Sequence, residues 1–580
     1  MSRTSGNFNF RIKFLAVIFF VSAGLLVCRL FFLQVAESDT YKERATRQNN
    51  EYGSKESISV RGDIFFQEKD GDMISAAGIK DGYMVQVNPS LVSDPAVLCG
   101  KLLENVSLGI NLDACAEKAG KKDDVSEILA RKVSGADEEK ISSLKITGLK
   151  TLFDQWRFYP GSSLASQILG FVGYKGDELV GRYGIEKYYE EVLRGAKEKL
   201  EANTSFTTMF LQYGKDLLDT DAYSGHDIVL TIEPRVQRVL EESLEILKDK
   251  WKAEGSGGII IEPKTGKILA MASKPDFDPN NYQKAANMSF YRNPLVSDIF
   301  EVGSVMKPLT LAASMDAGKI TSKTTYNDEG YVILNGRKIE NYDGKARGVV
   351  DMQRVLDESL NTGAVFASQK LGKENFLRYL RNYGFEETTG IDLPDETRSH
   401  TDNLYSMKDV EFATASFGQG VAFTPLSFAM AAGSLANGGL LMKPYVVERI
   451  LLDGGKDEII EPMSKRRVLS EETSREITRM LVKVVDEALL GGSEKMEHYS
   501  IAAKTGTALL IRPADEGGGY YEDKYIHTFI GYGPAFNSRF LVFLYVEDPK
   551  EVKYASNTLT EPFIKIMKFL LNYYEVPPDR

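Results

Sequence analysis

An apolar run at residues 14–33 determines where the rest of this chain can fold. Only Ser22, Gly24 and Arg29 interrupt it. At about 1.5 Å rise per residue, a helix of this length crosses the roughly 30 Å hydrocarbon core of a bilayer. No cleavage site of the A-x-A type follows the run, so we predict an uncleaved transmembrane anchor rather than a signal peptide.

The charges on either side of the run predict its orientation. Residues 1–13 contain basic side chains and no acid, whereas acids and bases are mixed after residue 34. The positive-inside bias therefore predicts a cytoplasmic tail at 1–13 and an extracytoplasmic, periplasmic location for everything after the anchor. We expect a single-pass protein of the cytoplasmic (inner) membrane.

Size and charge exclude several classes of protein. A chain of 580 residues exceeds the size of one hydrophobic core, so we expect at least two domains. The net charge of −11 argues against a general nucleic-acid binder, which needs a basic surface. The four histidines lie far apart and no metal-ligand spacing is present, so we expect no metal and no cofactor.

The cysteines leave one question open. Cys28 lies in the apolar run, which leaves Cys99 and Cys115 as partners for a disulfide in an oxidising compartment. Spacing alone does not distinguish a bond between them from two buried thiols.

Two regions of different character follow the anchor. Residues 34–225 alternate between short apolar pieces and charged helical pieces, and we predict an elongated pedestal domain of mixed structure there. Residues 226–580 carry strand patterns at both ends and mostly helical, glycine-punctuated sequence between them. The elements predicted in this second region are a strand at 228–230, a helix from Pro234, a hairpin of 258–261 and 268–272, strands at 529–532 and 540–546, and a helix at 563–574. This order predicts an α/β (α+β) fold in which an antiparallel sheet is covered by helices and carries a helical lobe.

Ser304 and Lys307 form the first chemical motif, S-x-x-K. On a helix, residues three apart share a face, so the amine of Lys307 can reach the hydroxyl of Ser304. A lysine with a depressed pKa can then act as the base that activates the serine. Pro308 is tolerated only near a helix N-terminus, so the helix is expected to begin close to Ser304, with its positive dipole end beside the nucleophile.

Two further motifs follow S-x-x-K along the chain. Ser359 and Asn361 form an S-x-N motif with Leu360 between them, and residues 504–507 read Lys-Thr-Gly-Thr after an apolar strand pattern. Gly506 removes a side chain where one backbone must approach another. The triple S-x-x-K, S-D-N and K-T-G is typical of penicillin-binding proteins and class A β-lactamases. Each motif alone suits an ordinary helix face, loop cap or strand end.

Further boxes extend the similarity over most of the chain. The chain resembles a class B penicillin-binding protein, a monofunctional peptidoglycan D,D-transpeptidase, and shares that family's penicillin-binding transpeptidase (serine β-lactamase-like) fold. The residues that carry the resemblance, besides the triple, are Arg61-Gly62-Asp63-Ile64, Tyr159-Pro160-Gly161, Leu169-Gly170-Phe171-Val172-Gly173, Gly184-Ile185-Glu186, Phe300-Glu301-Val302-Gly303 and Ser416-Phe417-Gly418-Gln419-Gly420. Glu186 is expected to tie the pedestal to the catalytic domain.

The resemblance implies a role for each motif residue. Ser304 is expected to attack the penultimate D-alanine of a stem peptide while Lys307 takes its proton. Ser359 would relay a proton to the leaving D-alanine with Lys504 beside it, and Asn361 would bind the peptide and position Lys307. The terminal carboxylate would be bound by Lys504, Thr505, Gly506 and Thr507, and the backbone N–H groups of Ser304 and Thr507 would form an oxyanion hole.

The resemblance also implies partners. These are peptidoglycan stem peptides, β-lactams that acylate Ser304, the membrane through one helix, divisome proteins, and a polytopic glycan polymerase of the shape, elongation, division and sporulation class. Arg29, Leu30, Phe31, Leu33 and Gln34 form a start that favours the division type, in septal wall synthesis, over the elongation type.

Two rival functions remain at this point. A carboxypeptidase or β-lactamase-like hydrolase of the same fold would use the same residues, although it needs neither an anchor nor a pedestal of nearly 200 residues. A non-enzymatic scaffold for a glycan polymerase would not need the motifs at all, and their intact residues weigh against it.

Overall fold

The computed structural model describes residues 61–176, 178–194, 225–452 and 455–580. The predicted tail at 1–13 and anchor at 14–33 lie outside the described residues. Within the described ranges, no helix combines the length and the apolar character that crossing a bilayer requires.

Twenty strands are found in the described part of the chain. In chain order they are β1 (Ile64–Gln67), β2 (Met73–Val87), β3 (Glu127–Val133), β4 (Leu149–Phe158), β5 (Val172–Lys175), β6 (Glu178–Gly181), β7 (Asp227–Leu230), β8 (Gly255–Glu262), β9 (Lys267–Lys274), β10 (Thr325–Asp328), β11 (Tyr331–Leu334), β12 (Arg337–Glu340), β13 (Gly348–Asp351), β14 (Leu440–Met442), β15 (Val447–Leu452), β16 (Lys456–Ile459), β17 (Ser464–Arg467), β18 (Ala502–Ile511), β19 (Tyr520–Gly533) and β20 (Phe540–Glu547).

The α-helices of the described ranges alternate with these strands. They are α1 (Pro95–Asn105), α2 (Leu112–Ala119), α3 (Gly135–Ser143), α4 (Ser166–Leu169), α5 (Gly184–Tyr188), α6 (Glu190–Arg194), α7 (Pro234–Lys250), α8 (Pro294–Ser297), α9 (Lys307–Asp316), α10 (Met352–Asp357), α11 (Asn361–Leu371), α12 (Lys373–Asn382), α13 (Asp409–Ala415), α14 (Pro425–Ala436), α15 (Glu471–Lys483) and α16 (Ala555–Tyr573).

The described chain divides into two compact units. One comprises Ile79–Trp156, and the other comprises residues 61–78 together with Arg157–Arg580. Because residues 195–224 lie outside the described ranges, the domain boundary predicted at 225/226 stays a prediction.

The smaller unit contains a disulfide. Its helices α1 and α2 and its strands enclose an apolar core of their own. Cys99 on α1 and Cys115 on α2 lie in this core and are bonded to each other. The sequence left open whether these two cysteines form a bond, and the structure decides for the disulfide.

A five-stranded antiparallel sheet forms the centre of the larger unit, in the order β18-β19-β20-β8-β9. Strands β8, β9 and β20 are nearly fully buried, and alternate residues of the sheet face two apolar cores. Ile260 and Phe529 face the core that holds α7 and α16, whereas Ile259 and Ile530 belong to the core that holds α9, α14 and α15. The predicted antiparallel sheet covered by helices is thus confirmed.

Most predicted elements of this unit are present. The strand at 228–230, the helix from Pro234, the hairpin and the two late strands are confirmed as β7, α7, β8 with β9, β19 and β20. The closing helix begins earlier than predicted, at Ala555 rather than 563, because its first turns pack against β19 and extend the buried face. β7 pairs parallel with β1 and antiparallel with β15, outside the five-stranded sheet.

Glu186 is fully buried at the N-terminal end of α5. Its carboxylate accepts hydrogen bonds from Arg61 Nε at 2.7 Å and from Arg157 Nε at 2.7 Å. A buried carboxylate is tolerated only when it is paired in this way. Both arginines lie inside the region predicted as the pedestal. Glu186 therefore joins three segments of the predicted pedestal. Neither of these two bonds reaches the predicted catalytic domain at 226–580.

Candidate active site

Ser304 lies in a tight turn that leads into α9. A single 3₁₀ turn, Gly303–Met306, precedes the helix, and Pro308 occupies its first turn as the sequence predicts. Gly303 has a φ of 65°, a left-handed conformation that glycine adopts without strain. The helix N-terminus is therefore next to the Ser304 side chain, which is half-buried.

The strand that carries Lys-Thr-Gly-Thr packs directly on this turn. A Cβ at Gly506 would lie 2.6 Å from the carbonyl oxygen of Val302 and 3.1 Å from the backbone nitrogen of Val305. A Cβ at Gly303 would lie 2.8 Å from the carbonyl oxygen of Thr507. Two glycines thus allow backbone to meet backbone, and the close approach predicted at Gly506 is confirmed.

Ser359 connects the remaining motif to both lysines. Its φ of 53° is uncommon for a residue with a side chain and marks a constrained site. The Ser359 hydroxyl oxygen accepts hydrogen bonds from Lys307 Nζ at 3.1 Å and from Lys504 Nζ at 3.1 Å. Lys307 also donates to the Ser359 carbonyl, and Lys504 donates to the Thr505 carbonyl at 3.1 Å. One hydroxyl is therefore held between two amines that come from distant segments.

Both amines are buried, which makes their charged forms costly. Burial lowers the pKa of Lys307 well below its usual range, and the neighbouring charge of Lys504 lowers this pKa further. Burial also lowers the pKa of Lys504, to about 8, although the carboxylate of Asp357 opposes the change. Lys307 is the amine that directly follows the 3₁₀ turn of Ser304.

Asn361 and Thr507 make contacts that the motifs did not predict. The Asn361 amide donates to the carbonyl of Glu340 at 2.8 Å, and a bond between Asn361 and Lys307 is not among the hydrogen bonds of the described residues. The expected roles of Asn361, binding the peptide and positioning Lys307, therefore stay predictions. Thr507 Oγ1 accepts from the backbone nitrogen of Ala555 at 3.2 Å, so the start of α16 orients this hydroxyl.

The Ser-Phe-Gly-Gln-Gly box supports the turn at Ser304. Gly303 donates its backbone N–H to the carbonyl of Gly418 at 3.1 Å, and Gly420 donates its N–H to Glu301 Oε1 at 2.8 Å. Thr310 Oγ1 on α9 donates to the carbonyl of Ser416 at 2.8 Å. This loop and α9 together hold the turn at Ser304 in place.

Sequence reasoning missed the polar neighbours of these motifs. Asp357 ends α10 and Glu340 ends β12, and no sequence pattern marks either residue as part of a site. The hydroxyl of Thr528 on β19 donates a hydrogen bond to the carbonyl of Val302 at 2.7 Å. Only the strand register could have found Thr528, because it lies opposite Gly506 in the β18–β19 pair.

The arrangement suits acyl transfer. It combines a hydroxyl beside a helix N-terminus, a buried amine of low basicity, a second hydroxyl that links two amines, and a cationic strand edge. No group of three His, Cys, Asp or Glu side chains that could hold a metal is found in the described ranges.

Two protein families match the chain. The family described as penicillin binding protein transpeptidase domain matches residues 257–568, and the family described as penicillin-binding protein dimerisation domain matches residues 61–230. Together they cover the Arg-Gly-Asp-Ile box and all three catalytic motifs.

Curated relatives match over most of their length. Stage V sporulation protein D of Bacillus subtilis is 31% identical over 531 residues, which cover 89% of this chain and 80% of that protein. Peptidoglycan D,D-transpeptidase FtsI of Escherichia coli is 26% identical over 453 residues, 78% of this chain and 73% of that protein.

Solved structures share the fold. Penicillin-binding protein 3 of Mycobacterium tuberculosis, complexed with aztreonam, superposes with a TM-score of 0.64 at 25% identity, covering 74% of this chain and 92% of that chain. Penicillin-binding protein 2X of Streptococcus thermophilus superposes with a TM-score of 0.70 over 89% of this chain and 80% of that chain, and at 18% identity it supports the fold alone.

Proposed function

The chain belongs to the class B penicillin-binding proteins, and we propose that Ser304 is the residue through which it transfers acyl groups. It is a serine-type peptidoglycan D,D-transpeptidase, and its family binds β-lactams.

Acylation begins with the Ser304 hydroxyl. Lys307, as the neutral amine that its lowered pKa favours, accepts the proton while Ser304 Oγ attacks the carbonyl of the penultimate D-alanine. The bond between the two D-alanines breaks, and the proton passes through the Ser359 hydroxyl to the leaving amine. Ser359 suits this relay because its oxygen contacts both Lys307 and Lys504 at 3.1 Å.

Substrate binding falls to the strand at 504–507. Lys504 and the hydroxyls of Thr505 and Thr507 bind the terminal carboxylate, while Asn361 hydrogen-bonds the peptide. The backbone N–H groups of Ser304 and Thr507 stabilise the oxyanion, a contribution of about 3–4 kcal/mol per donor in other acyl-transfer enzymes. The close packing of Gly303 on Thr507 supports this pairing of donors.

An amine completes the cycle. The neutral amine of a second stem peptide attacks the Ser304 ester, a new peptide bond forms, the ester bond breaks, and the serine regains its proton. A β-lactam follows the first half of this path and remains bound as an ester, because no leaving group departs from the site.

The observation that carries these assignments is the position of the Ser359 hydroxyl between two buried lysines. Intact mass measurement after incubation with benzylpenicillin tests them: the wild type and a Ser406→Ala control should gain the mass of one penicillin, and peptide mapping should place it on Ser304. The Ser304→Ala variant should gain none. An adduct on another residue, or an adduct that persists in Ser304→Ala, would refute the assignment.

The same reagents separate a transpeptidase from a hydrolase. Incubated with donor and acceptor peptides, the protein is expected to form cross-linked product. Release of D-alanine with no cross-link in the presence of a saturating amine would indicate a carboxypeptidase instead.

We further propose that the protein is anchored in the cytoplasmic membrane by residues 14–33, with its catalytic part outside. It acts in septal wall synthesis with a polytopic glycan polymerase and divisome proteins. The relationship to FtsI of Escherichia coli supports the division role. A fluorescent fusion should gather at mid-cell in dividing cells, and a uniform side-wall distribution would favour elongation.

Sporulation is a second candidate setting. The Bacillus subtilis relative at 31% identity carries a sporulation name. Expression confined to sporulating cells, with normal septa in a growing deletion strain, would favour this setting over vegetative division.

A further inference from the structure

Asp328, the last residue of β10, carries a buried carboxylate that the acylation steps do not use. Its side chain is 1% exposed. It accepts hydrogen bonds from the backbone N–H groups of Gly330 and Arg347 and from the Asn341 amide, each at 3.0 Å. The Thr362 hydroxyl donates to it at 2.7 Å. These donors, and no ion pair among the described residues, satisfy the carboxylate, as a buried polar group requires.

Two of these donors flank the hydrogen bond that holds Asn361. The Asn361 amide donates to the carbonyl of Glu340 at 2.8 Å. The residue after Glu340 is Asn341, and the residue after Asn361 is Thr362. Both following residues donate to the carboxylate of Asp328, and Thr362 also donates its backbone N–H to the Asn341 side chain at 3.2 Å. One buried carboxylate therefore joins the end of β12 to the start of α11.

The loop that contacts Asp328 is also tied to the residue before Ser359. Arg347 donates its backbone N–H to Asp328, and its Nε donates to Glu358 Oε2 at 2.8 Å. Glu358 directly precedes Ser359, whose left-handed φ of 53° is uncommon for a residue with a side chain. Such a conformation persists only where the surrounding contacts hold it. The motif at 359–361 thus has an anchor at each end.

The Asn361 amide keeps groups that a substrate can use. A side-chain amide has two N–H donors and one acceptor oxygen. One donor is used on the Glu340 carbonyl, and no other hydrogen bond of the Asn361 side chain is found in the described part of the chain. A peptide group presents one carbonyl and one N–H, which match the remaining donor and acceptor. Where this amide lies depends on the neighbours that contact Asp328.

We propose that Asp328 is a positioning residue for the acylation of Ser304: through Asn341 and Thr362 it sets where the Asn361 amide meets an amide group of the substrate. The inference rests on the proposed binding of the peptide by Asn361. Because Asp328 is buried, it acts through these neighbours and not on the substrate itself.

Two β-lactams that differ in one amide test the proposal. Acetamidopenicillanic acid has a side-chain amide, and aminopenicillanic acid has the same ring system without the acetyl group. The ratio of their acylation rate constants should fall about three- to tenfold in Asn361→Ala, as expected for one neutral hydrogen bond. Asp328→Ala should lower the ratio towards the same value, and the double variant should lower it no further, because the two residues act as one unit.

A second buried carboxylate provides the matched control. Asp392 accepts from the backbone N–H groups of Val446 at 2.8 Å and Val447 at 2.9 Å. Asp392→Ala therefore removes a comparable acceptor elsewhere in the same unit. It should lower the melting temperature and keep the wild-type ratio, which separates a loss of stability from a loss of positioning.

A milder pair of variants tests the same link without removing the carboxylate. Thr362→Val loses the hydroxyl that donates to Asp328 and should lower the ratio, whereas Thr362→Ser keeps both the hydroxyl and the ratio. If Asp328→Ala does not fold, this pair decides alone. Because each ratio compares two substrates in one protein, a general loss of activity cancels.

The possible failures can be told apart. A wild-type ratio in Asp328→Ala or in Thr362→Val, with a lowered ratio in Asn361→Ala, would overturn the positioning role and leave the proposed function standing. A wild-type ratio in Asn361→Ala would overturn the binding role of Asn361 and this inference with it. A wild-type protein that neither compound acylates would overturn the proposed function as well.

Discussion

Lys307 is a fully buried lysine whose hydrogen bonds in this structure go to Ser359. Burying an ammonium group is costly, and the side chain lowers this cost by releasing its proton more easily than an exposed lysine does. The same burial favours the neutral amine, the form that a general base requires. The burial of this one side chain therefore both costs stability and prepares the amine for its proposed role.

Replacing Lys307 by methionine should separate these two effects. Methionine fills a similar volume without an amine, so acylation by benzylpenicillin should slow by about 10²–10⁴-fold, the usual contribution of a general base. The melting temperature should be unchanged or higher, because an amine whose burial is costly is replaced by an apolar side chain. Stopped-flow acylation and thermal unfolding measure the two effects, with the exposed Lys319→Met as a control. A variant that acylates at the wild-type rate would exclude Lys307 as the base.

The lowered lysine pKa values predict a bell-shaped pH profile of acylation. The rate should rise with pH as Lys307 loses its proton, well below the pH at which an ordinary lysine does so. It should fall as the Lys504 ammonium, with a pKa of about 8, is lost and the carboxylate of the substrate is no longer neutralised. The Lys504→Arg variant, always charged, should move the alkaline limb upward or remove it. A flat profile between pH 6 and 10 would contradict both assignments.

At the scale of elements, the active site depends on how closely β18 approaches the 3₁₀ turn of Gly303–Met306. The two segments meet backbone to backbone at Gly303 and Gly506. The two segments lie far apart in the sequence, so their contact depends on how the sheet and α9 pack. A small change in their separation would move the backbone N–H of Thr507, a proposed oxyanion donor, relative to Ser304.

A methyl group at Gly506 should open this contact. In Gly506→Ala the new Cβ would meet the carbonyl of Val302 at 2.6 Å, so β18 must shift, at a cost of about 1–3 kcal/mol for overpacking. We expect acylation at least tenfold slower and a lower melting temperature. Gly433→Ala on α14 is the matched control: its methyl meets no atom within 4 Å and should stabilise the helix by about 0.5–1 kcal/mol. Equal effects of the two substitutions would show that the contact is not tight.

At the scale of the whole molecule, the sequence predicts an anchor at 14–33 ahead of the described residues. The residues of the candidate active site lie in the unit formed by residues 61–78 and Arg157–Arg580. The chemistry therefore needs no residue of the predicted anchor.

Deleting residues 1–33 should leave the chemistry intact. The full chain is expected in the membrane fraction, and the truncated chain in the aqueous fraction with an unchanged rate of acylation by benzylpenicillin. Sodium carbonate extraction and fluorescent penicillin labelling check both outcomes. A full chain that carbonate releases would argue against a transmembrane anchor, and a truncated chain that fails to label would show that the segment contributes to folding.

The sequence by itself determined the features that neighbouring residues encode. The proline after the S-x-x-K motif, the hairpin at 258–272 and the glycine at 506 are local patterns, and the structure has them as predicted. Such patterns can be recognised in the sequence because helix periodicity, turn geometry and local steric constraints depend on residues close together in the chain.

Only the tertiary structure decided how distant segments meet. It placed the Ser359 hydroxyl between Lys307 and Lys504, turned Asn361 towards Glu340 and bonded Cys99 to Cys115. These outcomes depend on the packing of the sheet, its helices and their loops together. No single stretch of sequence determines the distances between these segments, because the distances depend on packing throughout the larger unit.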